Sequence, residues 1–237
     1  MEILQLVASG VIGYLLGALP FAQLVSRYIK GVDIFSTGTT LAGTANVFWN
    51  VGRRSALLVF IGDVGKGSAA VAIAWALGIE APLTLVAAAA AIIGHWVSVF
   101  SSFRGGDGMT PLIGVSVALL PVLTVLAAVI GVGTVLLMRK HYLRSAWGIC
   151  TGFLLMLGLC LAFDIEPNMT SNIEIELVAG LTALAALVLM RSMIVRRRLH
   201  STERQGIPDD LAIIEDLEMA DDLGTDPELQ QEFPGRS

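Results

Sequence analysis

Residues 108–138 read GMTPLIGVSVALLPVLTVLAAVIGVGTVLLM and carry no charged side chain over 31 residues. As one helix this stretch would be about 46 Å long, well beyond a hydrocarbon core of about 30 Å. Pro121 lies inside it, and a proline in a helix interior breaks or kinks the helix. The stretch therefore predicts either one overlong crossing or a pair of helices broken near Pro121.

The composition of the whole chain favours a membrane environment. Of 237 residues, 55% are hydrophobic and 15% are charged, and the mean hydropathy is +0.76. Soluble domains are about 45–50% apolar and about 25% charged. These values exclude a soluble enzyme, a disordered protein and a nucleic-acid binder. The apolar runs are residues 3–26, 55–79, 81–103, 108–138, 145–163 and 173–195. The first of them would span about 36 Å as a helix.

The basic residues between the runs predict the topology. By the positive-inside rule, the loop with Arg27, Lys30, Arg53 and Arg54 is cytoplasmic, so the N-terminus is outside. The basic residues at 139–144 come to the cytoplasmic side only if residues 108–138 cross the membrane twice. We therefore predict an all-α integral membrane protein with seven transmembrane helices, one pair broken near Pro121, N-out and C-in.

The net charge of −5 is the average of two different parts. Residues 201–237 contain eleven acidic and two basic residues, a net charge of −9, whereas residues 1–200 contain thirteen basic and nine acidic residues, a net charge of +4. We interpret residues 1–200 as the membrane domain. Residues 201–237 are predicted to be an acidic, largely disordered cytoplasmic tail. The sequence does not identify a partner for the tail.

Three polar segments on the predicted cytoplasmic side contain candidate site residues. The first, residues 38–48, reads GTTLAGTANVF. Glycines let backbone N–H groups approach an anion, and hydroxyls and amides add donors. The segment is either a phosphate cradle or an ordinary polar loop.

The other two segments contain ionisable residues close to apolar runs. Asp63 and Lys66 are three residues apart, so on a helix they would share a face and could pair; a structural ion pair and a functional pair are equally compatible with this spacing. His95 precedes a glycine loop, residues 104–108, in which Arg104 could hold a phosphate through two hydrogen bonds. No Ser-His-Asp order and no metal-ligand spacing is present in the sequence.

Taken together, these segments resemble the PlsY type of acyl-phosphate–glycerol-3-phosphate acyltransferase. The resemblance covers residues 3 to about 200 and makes this part an acyltransferase-like domain. The motifs that carry it are Gly17-Ala-Leu-Pro20-Phe21, Asp33, Gly38 to Asn46, Asp63-Val-Gly-Lys66-Gly67, Gly94-His95 and Phe103-Arg104-Gly105-Gly106-Asp107-Gly108.

The resemblance implies a reaction, its substrates and its site residues. In this family an acyl phosphate gives its acyl group to the 1-hydroxyl of glycerol 3-phosphate, without coenzyme A or another cofactor, in the bacterial inner membrane. The product is lysophosphatidic acid, a precursor of phospholipids. By this resemblance the catalytic residues are His95, Lys66 and Asn46. The residues expected to bind substrate phosphate are Gly38, Thr39, Gly43, Asn46, Arg104, Gly105 and Gly106.

The chain departs from the family pattern at several motif positions. Ala18 replaces a Ser, Thr40 a Gly, Leu41 an Asn, Phe35 and Trp49 an Arg each, and Asp107 a Lys, and the C-terminal motif is not recognisable in residues 191–198. These departures leave a second interpretation open: a catalytically impaired paralogue that binds lipid or a protein partner. A small-solute transporter is disfavoured because the polar residues gather on one side of the membrane rather than at its midplane.

Overall fold

The computed structural model describes residues 2–138, 144–163 and 175–205. Within these ranges the chain forms the helices α1 (Glu2–Ala18), α2 (Phe21–Lys30), α3 (Thr44–Asn50), α4 (Arg53–Ala76), α5 (Thr84–Trp96), α6 (Met109–Leu119), α7 (Pro121–Leu137), α8 (Arg144–Phe163) and α9 (Ile175–Gln205). Two 3₁₀ turns, Ile34–Ser36 and Val99–Ser101, lie in the loops. The described residues contain no strand beyond an isolated bridge between Ser98 and Arg104. The all-α prediction is confirmed.

Within the described residues, seven apolar helical segments correspond to the seven predicted membrane segments. Ile3–Lys30, Arg53–Ala76 and Glu176–Val195 are long and apolar enough to cross a membrane, and Thr84–Trp96, Met109–Leu119, Pro121–Leu137 and Trp147–Gly158 are shorter apolar helices. Large apolar side chains stand outward on these helices; Leu137 is 89% exposed and Ile3 80%. Such an apolar exterior suits a protein surrounded by lipid.

The break near Pro121 is present. Helix α6 ends at Leu119, Leu120 has a non-helical backbone with φ −138° and ψ 65°, and Pro121 begins α7. The ring of a proline disfavours helical geometry in the residue before it, whereas its fixed φ suits the first position of a helix. The predicted pair of helices is therefore confirmed.

The first apolar run differs from an uninterrupted helix. It is divided into α1 and α2 by a break at Leu19 and Pro20. Carbonyls freed by such a break must find donors inside a membrane protein. Here Ser98 Oγ donates to the Ala18 carbonyl and Lys66 Nζ donates to the Leu19 carbonyl. The break thus creates acceptors for residues of α4 and of the loop after α5.

Glycines allow two pairs of helices to approach closely. A Cβ at Gly94 of α5 would meet the Tyr14 carbonyl of α1, and a Cβ at Gly67 of α4 would meet the Pro111 carbonyl of α6. Small residues at such crossings let helix backbones come together in membranes. These contacts hold α5 against α1 and α4 against α6. Helices α4 and α5 carry the ionisable residues.

A small separate core holds the polar loop beside the helices. It contains buried apolar residues of α2, the first 3₁₀ turn, the polar loop (residues 38–43), α3, the residue after α3, and α4: Ala22, Ile34, Phe35, Ala42, Val47, Val51, Ala56 and Val59. Residues up to Val195 belong to one compact unit. The acidic tail is predicted to begin at residue 201, but α9 continues to Gln205. Residues 206–237 lie outside the described residues, so their predicted disorder stays a prediction.

Replacing Gly67 with Ala should destabilise the protein. The added methyl group would meet the Pro111 carbonyl, and overpacking of this kind costs about 1–3 kcal/mol. The matched control is Gly65→Ala on the same helix, where a Cβ has open space and Ala should be neutral or favourable by about 0.5–1 kcal/mol. Thermal unfolding in detergent, followed by tryptophan fluorescence, measures both. Equal melting temperatures for the two variants would contradict the close α4–α6 crossing.

The orientation is tested with single cysteines in a chain that lacks Cys150 and Cys160. We expect Ser102→Cys and Ser145→Cys to react with a membrane-impermeant maleimide only after the cells are opened, because both positions are predicted to be cytoplasmic. Ala81→Cys should react on intact cells. Labelling of position 145 on intact cells would show that residues 108–138 cross the membrane once.

Candidate active site

Three ionisable side chains form a buried cluster, which we define as Asp63, Lys66 and His95. Asp63 and Lys66 lie three residues apart on α4, and His95 is in the last turn of α5. The three residues are 1%, 4% and 4% exposed. Lys66 Nζ lies 2.8 Å from Asp63 Oδ1 and 2.8 Å from His95 Nδ1. The predicted Asp63–Lys66 pair is confirmed, and the tertiary structure adds His95 to it.

Lys66 is surrounded by acceptors from the protein itself. Its Nζ also donates to the Leu19 carbonyl at 3.1 Å, so three acceptors lie within 3.1 Å of a group that has three protons. An ammonium with these neighbours has no proton directed at a ligand. We therefore assign Lys66 to holding Asp63, His95 and the break in the first membrane segment together.

The same contacts determine which ring nitrogen of His95 carries the hydrogen. Because the Lys66 ammonium can only donate, His95 Nδ1 accepts, and in the neutral ring Nε2 carries the hydrogen. A Cβ placed on Gly106 would meet His95 Nε2 and the Ala42 carbonyl. The Nε2–H group therefore faces the place where the glycine loop passes the polar loop. In this tautomer His95 is a hydrogen-bond donor and not a general base.

Gly105 and Gly106 lie between His95 and the polar loop. Gly106 N–H donates to the His95 carbonyl at 3.0 Å, and Ala42 N–H donates to the Gly105 carbonyl at 3.2 Å. A Cβ on Gly105 would meet the His95 and Trp96 carbonyls. The backbone approaches so closely here that no larger residue fits at either position without a shift.

Asn46 organises the polar loop, residues 38–43. Its Nδ2 lies 3.2, 3.0 and 3.0 Å from the carbonyls of Ile34, Thr37 and Leu41. Its Oδ1 accepts from Thr39 N–H at 3.3 Å and from Asn50 Nδ2 at 2.8 Å. The side chain is 2% exposed. Since both of its N–H groups have carbonyl partners between Ile34 and Leu41, Asn46 shapes the loop and the turn before it.

Backbone geometry in this loop depends on unusual torsions. Gly38 has φ +57° and Thr40 has φ +53°. A left-handed conformation is rare for a β-branched residue such as threonine. Thr39 and Gly38 are exposed and Gly43 is half-buried. None of these three residues lines the groove described next. Their assignment to phosphate binding stays a prediction.

A groove of about 570 Å³ opens beside Arg104. Helix α2 contributes Arg27 and Tyr28 to its wall, the first 3₁₀ turn contributes Phe35, and the second contributes Phe100. The Arg104 guanidinium carbon lies 4.6 Å from the centre of the Phe35 ring, a cation–π contact that holds the side chain in place. Among the described residues, those lining the groove include two arginines and no acid.

The groove adjoins a smaller pocket beside the buried cluster. This pocket is lined by the three cluster residues and by Gly105, and it shares Pro20, Ser101 and Arg104 with the groove. An anion in the groove would therefore face two guanidinium groups. Atoms deeper in the pocket would lie near the cluster. No three His, Cys, Asp or Glu side chains come together as a metal site in the part of the chain that the structure describes.

Sequence reasoning did not include Arg27 among the candidate site residues. It served only as a marker of the cytoplasmic side. A signal was available, since Arg27 follows Gln23 by one helical turn and thus extends the polar face of the amphipathic α2. The tertiary arrangement of the two 3₁₀ turns brings this polar face of α2 and Arg104 into the same groove.

Comparisons with known proteins point to one family. The family model described as glycerol-3-phosphate acyltransferase matches residues 7–201. A glycerol-3-phosphate acyltransferase of Synechococcus elongatus is 34% identical over 187 residues, 76% of this chain and 86% of that protein. The corresponding protein of Laribacter hongkongensis is 35% identical over 190 residues, 78% of this chain and 87% of its own length.

Solved structures agree with the relatives. The crystal structure of PlsY, an integral membrane glycerol 3-phosphate acyltransferase, in its glycerol 3-phosphate form matches with a TM-score of 0.68 and 26% identity, over 83% of this chain and 92% of that one. Its lysophosphatidic acid form matches with a TM-score of 0.66. With apolar helices throughout and a family match over most of its length, the chain is a multi-pass membrane protein that belongs to the glycerol-3-phosphate acyltransferase family.

Proposed function

We propose that this protein transfers an acyl group from an acyl phosphate to the 1-hydroxyl of glycerol 3-phosphate, at the cytoplasmic face of a bacterial inner membrane. The products would be 1-acyl-glycerol 3-phosphate and inorganic phosphate. The observation that carries the proposal is the groove with two arginines that adjoins the pocket beside the buried cluster. The names of the relatives and the bound forms of PlsY support the choice of glycerol 3-phosphate.

The groove suits a ligand that combines a phosphate with an apolar chain. A guanidinium can hold a phosphate through two parallel hydrogen bonds, and Arg104 and Arg27 both line the groove. Phe100 is 56% exposed and Tyr28 87%, so apolar surface lies beside the cations. We assign substrate phosphate to Arg104 and Arg27 and the acyl chain to the aromatic side of the groove.

The proposed reaction needs positioning and charge stabilisation. The hydroxyl oxygen of glycerol 3-phosphate forms a bond to the acyl carbon, and the bond from that carbon to the phosphate oxygen breaks. Since His95 is a donor at Nε2, the proton of the attacking hydroxyl leaves with the inorganic phosphate. The Nε2–H group and Arg104 would stabilise negative charge on the oxygens of the transition state. Lys66 and Asn46 would act by holding His95 and the polar loop.

The alternative, a catalytically impaired paralogue, has a specific observation in its favour. Two of the three residues expected to be catalytic, Lys66 and Asn46, have their N–H groups directed at protein acceptors. Such a paralogue would bind an anionic lipid or glycerol 3-phosphate in the groove without turnover. Separate measurements of binding and of product formation distinguish the two functions.

Arg104→Gln should weaken the use of glycerol 3-phosphate. Loss of a charged hydrogen bond to phosphate costs about 1.5–3 kcal/mol, so kcat/KM should fall by about tenfold or more. The matched control is Arg54→Gln, an exposed arginine that does not line the groove. The measurement uses purified protein in liposomes with palmitoyl phosphate and labelled glycerol 3-phosphate, and it quantifies lysophosphatidic acid.

The outcomes of this assay separate the proposals. The acyltransferase function is supported if the natural sequence and Arg54→Gln form product and Arg104→Gln forms little. Saturable binding of labelled glycerol 3-phosphate without product supports the impaired paralogue. Neither binding nor product would refute both.

Gly106→Ala should lower kcat, and it should also destabilise the fold because the added methyl group would meet the Ala42 carbonyl. The added methyl group would occupy the space in front of His95 Nε2, and a displacement of about 1 Å at a reacting centre can cost about 100-fold in rate. Gly133→Ala on α7 is the control, because a Cβ there has no neighbour within 4 Å. Expression level, melting temperature and kcat should be compared. An unchanged kcat in Gly106→Ala would remove His95 from the proposed site.

A further inference from the structure

A buried hydroxyl group lies where the groove borders the smaller pocket beside the buried cluster, which we call the inner pocket. The two cavities share three lining residues, Pro20, Ser101 and Arg104. Ser101 belongs to the second 3₁₀ turn and is 8% exposed. Its Oγ atom is buried and has no hydrogen-bond partner among the described residues. Ser101 is the shared residue with a hydroxyl group, so its side chain is a polar group at the border of both cavities.

The 3₁₀ turn uses the backbone of Ser101 and leaves its side chain unused. Ser101 N–H donates to the Ser98 carbonyl at 3.1 Å, and the Ser101 carbonyl accepts from Arg104 N–H at 3.0 Å. The hydroxyl of Ser98, at the start of the same turn, donates to the Ala18 carbonyl. A buried hydroxyl without a partner is costly, and a functional role is one explanation for such a group. The Ser101 hydroxyl is therefore a candidate for contact with a ligand.

The charges around the two cavities orient a phosphate ester. Arg27 and Arg104 line the groove, whereas Asp63 lines the inner pocket. Asp63 Oδ1 lies 2.8 Å from Lys66 Nζ. Asp63 Oδ2 is buried and, within the part of the chain that the structure describes, accepts no hydrogen bond. A carboxylate repels a phosphate and accepts from a hydroxyl. The phosphate of such a ligand should therefore lie in the groove and its hydroxyl end toward the inner pocket.

The size of the inner pocket agrees with this orientation. Its free volume is about 10 Å³, about what one water-sized oxygen occupies, so it suits a hydroxyl and not a phosphate. In glycerol 3-phosphate the 2-hydroxyl is on the carbon between the phosphate-bearing carbon and the carbon of the 1-hydroxyl. With the phosphate at Arg104 and the 1-hydroxyl toward His95, the 2-hydroxyl comes to the border of the two cavities, where Ser101 lies.

We propose that Ser101 is a specificity-determining residue whose hydroxyl forms a hydrogen bond with the 2-hydroxyl of glycerol 3-phosphate. This assignment rests on the proposed function and adds to it the part of the acceptor that the protein recognises besides the phosphate. An acceptor without the 2-hydroxyl would leave the Ser101 hydroxyl unpaired. Sites that hydrogen-bond a substrate hydroxyl discriminate against analogues that lack it. The protein should therefore select a phosphate ester with two adjacent hydroxyl groups.

The test compares glycerol 3-phosphate with 3-hydroxypropyl phosphate, which keeps the phosphate and the primary hydroxyl and lacks the 2-hydroxyl. Purified full-length protein in liposomes is supplied with palmitoyl phosphate, and kcat/KM is measured for each acceptor. The natural sequence should prefer glycerol 3-phosphate by about tenfold. Ser101→Ala should lower kcat/KM for glycerol 3-phosphate about fivefold and leave the value for the analogue within about twofold.

Ser26→Ala is the matched control. Ser26 is 0% exposed and its Oγ, like that of Ser101, has no hydrogen-bond partner among the residues described, but it lines neither cavity. Each variant removes a buried hydroxyl without a partner, so neither should lower the melting temperature. Ser26→Ala should keep the preference of the natural sequence. If Ser101→Ala lowered kcat/KM equally for both acceptors, its role would be structural and the proposed recognition of the 2-hydroxyl would be wrong.

The outcomes distinguish this proposal from the proposed function. Product from the natural sequence with the same preference in Ser101→Ala would overturn the role of Ser101 and leave the acyltransferase function intact. If the natural sequence forms no product, displacement of bound labelled glycerol 3-phosphate by each unlabelled acceptor replaces the kinetics. Weaker displacement by the analogue, with the difference lost in Ser101→Ala, would support the role of Ser101 in a binding protein. Equal displacement by both acceptors in the natural sequence, or no binding at all, would overturn it.

Discussion

The buried ammonium of Lys66 is the interaction on which the candidate site depends. It joins three separate parts of the fold: Asp63 on its own helix, His95 on α5 and the Leu19 carbonyl at the break in the first membrane segment. An unpaired charge at this depth would be costly, so these three partners must stay together. Their arrangement places His95 Nε2 beside Gly106 and lines the pocket that the groove adjoins.

Around this centre the backbone provides most of the shape. Helix crossings at Gly94 and Gly67 bring α1 and α6 against the helices with ionisable residues. The Asn46 amide donates to the carbonyls of Ile34, Thr37 and Leu41. The glycine loop lies between the polar loop and His95. The site is therefore preorganised by groups that contact each other, while the arginines of the groove are the groups that we propose to hold phosphate.

The substitutions within the family motifs acquire physical meaning in this arrangement. Phe35, where the family pattern has an arginine, lies beneath the Arg104 guanidinium and orients it. Asp107, which reverses a charge of the pattern, accepts a hydrogen bond from Met109 N–H at the start of α6. A negative charge in the glycine loop is thus compatible with an anion in the groove, since Asp107 does not line it. For Thr40, which has a left-handed backbone conformation, the described residues offer no comparable explanation.

The sequence by itself determined the membrane class, the helical segments, the break at Pro121 and the Asp63–Lys66 pair, because hydropathy, proline chemistry and helical spacing are local properties. The motifs also indicated the family. Only the tertiary structure decided that α1 ends at Ala18 and leaves the Leu19 carbonyl to Lys66, that the Asn46 amide is used by the neighbouring backbone, and that Arg27 joins Arg104 in one groove. These features depend on contacts between residues far apart in the chain, and no local pattern specifies which distant partner a polar group will find.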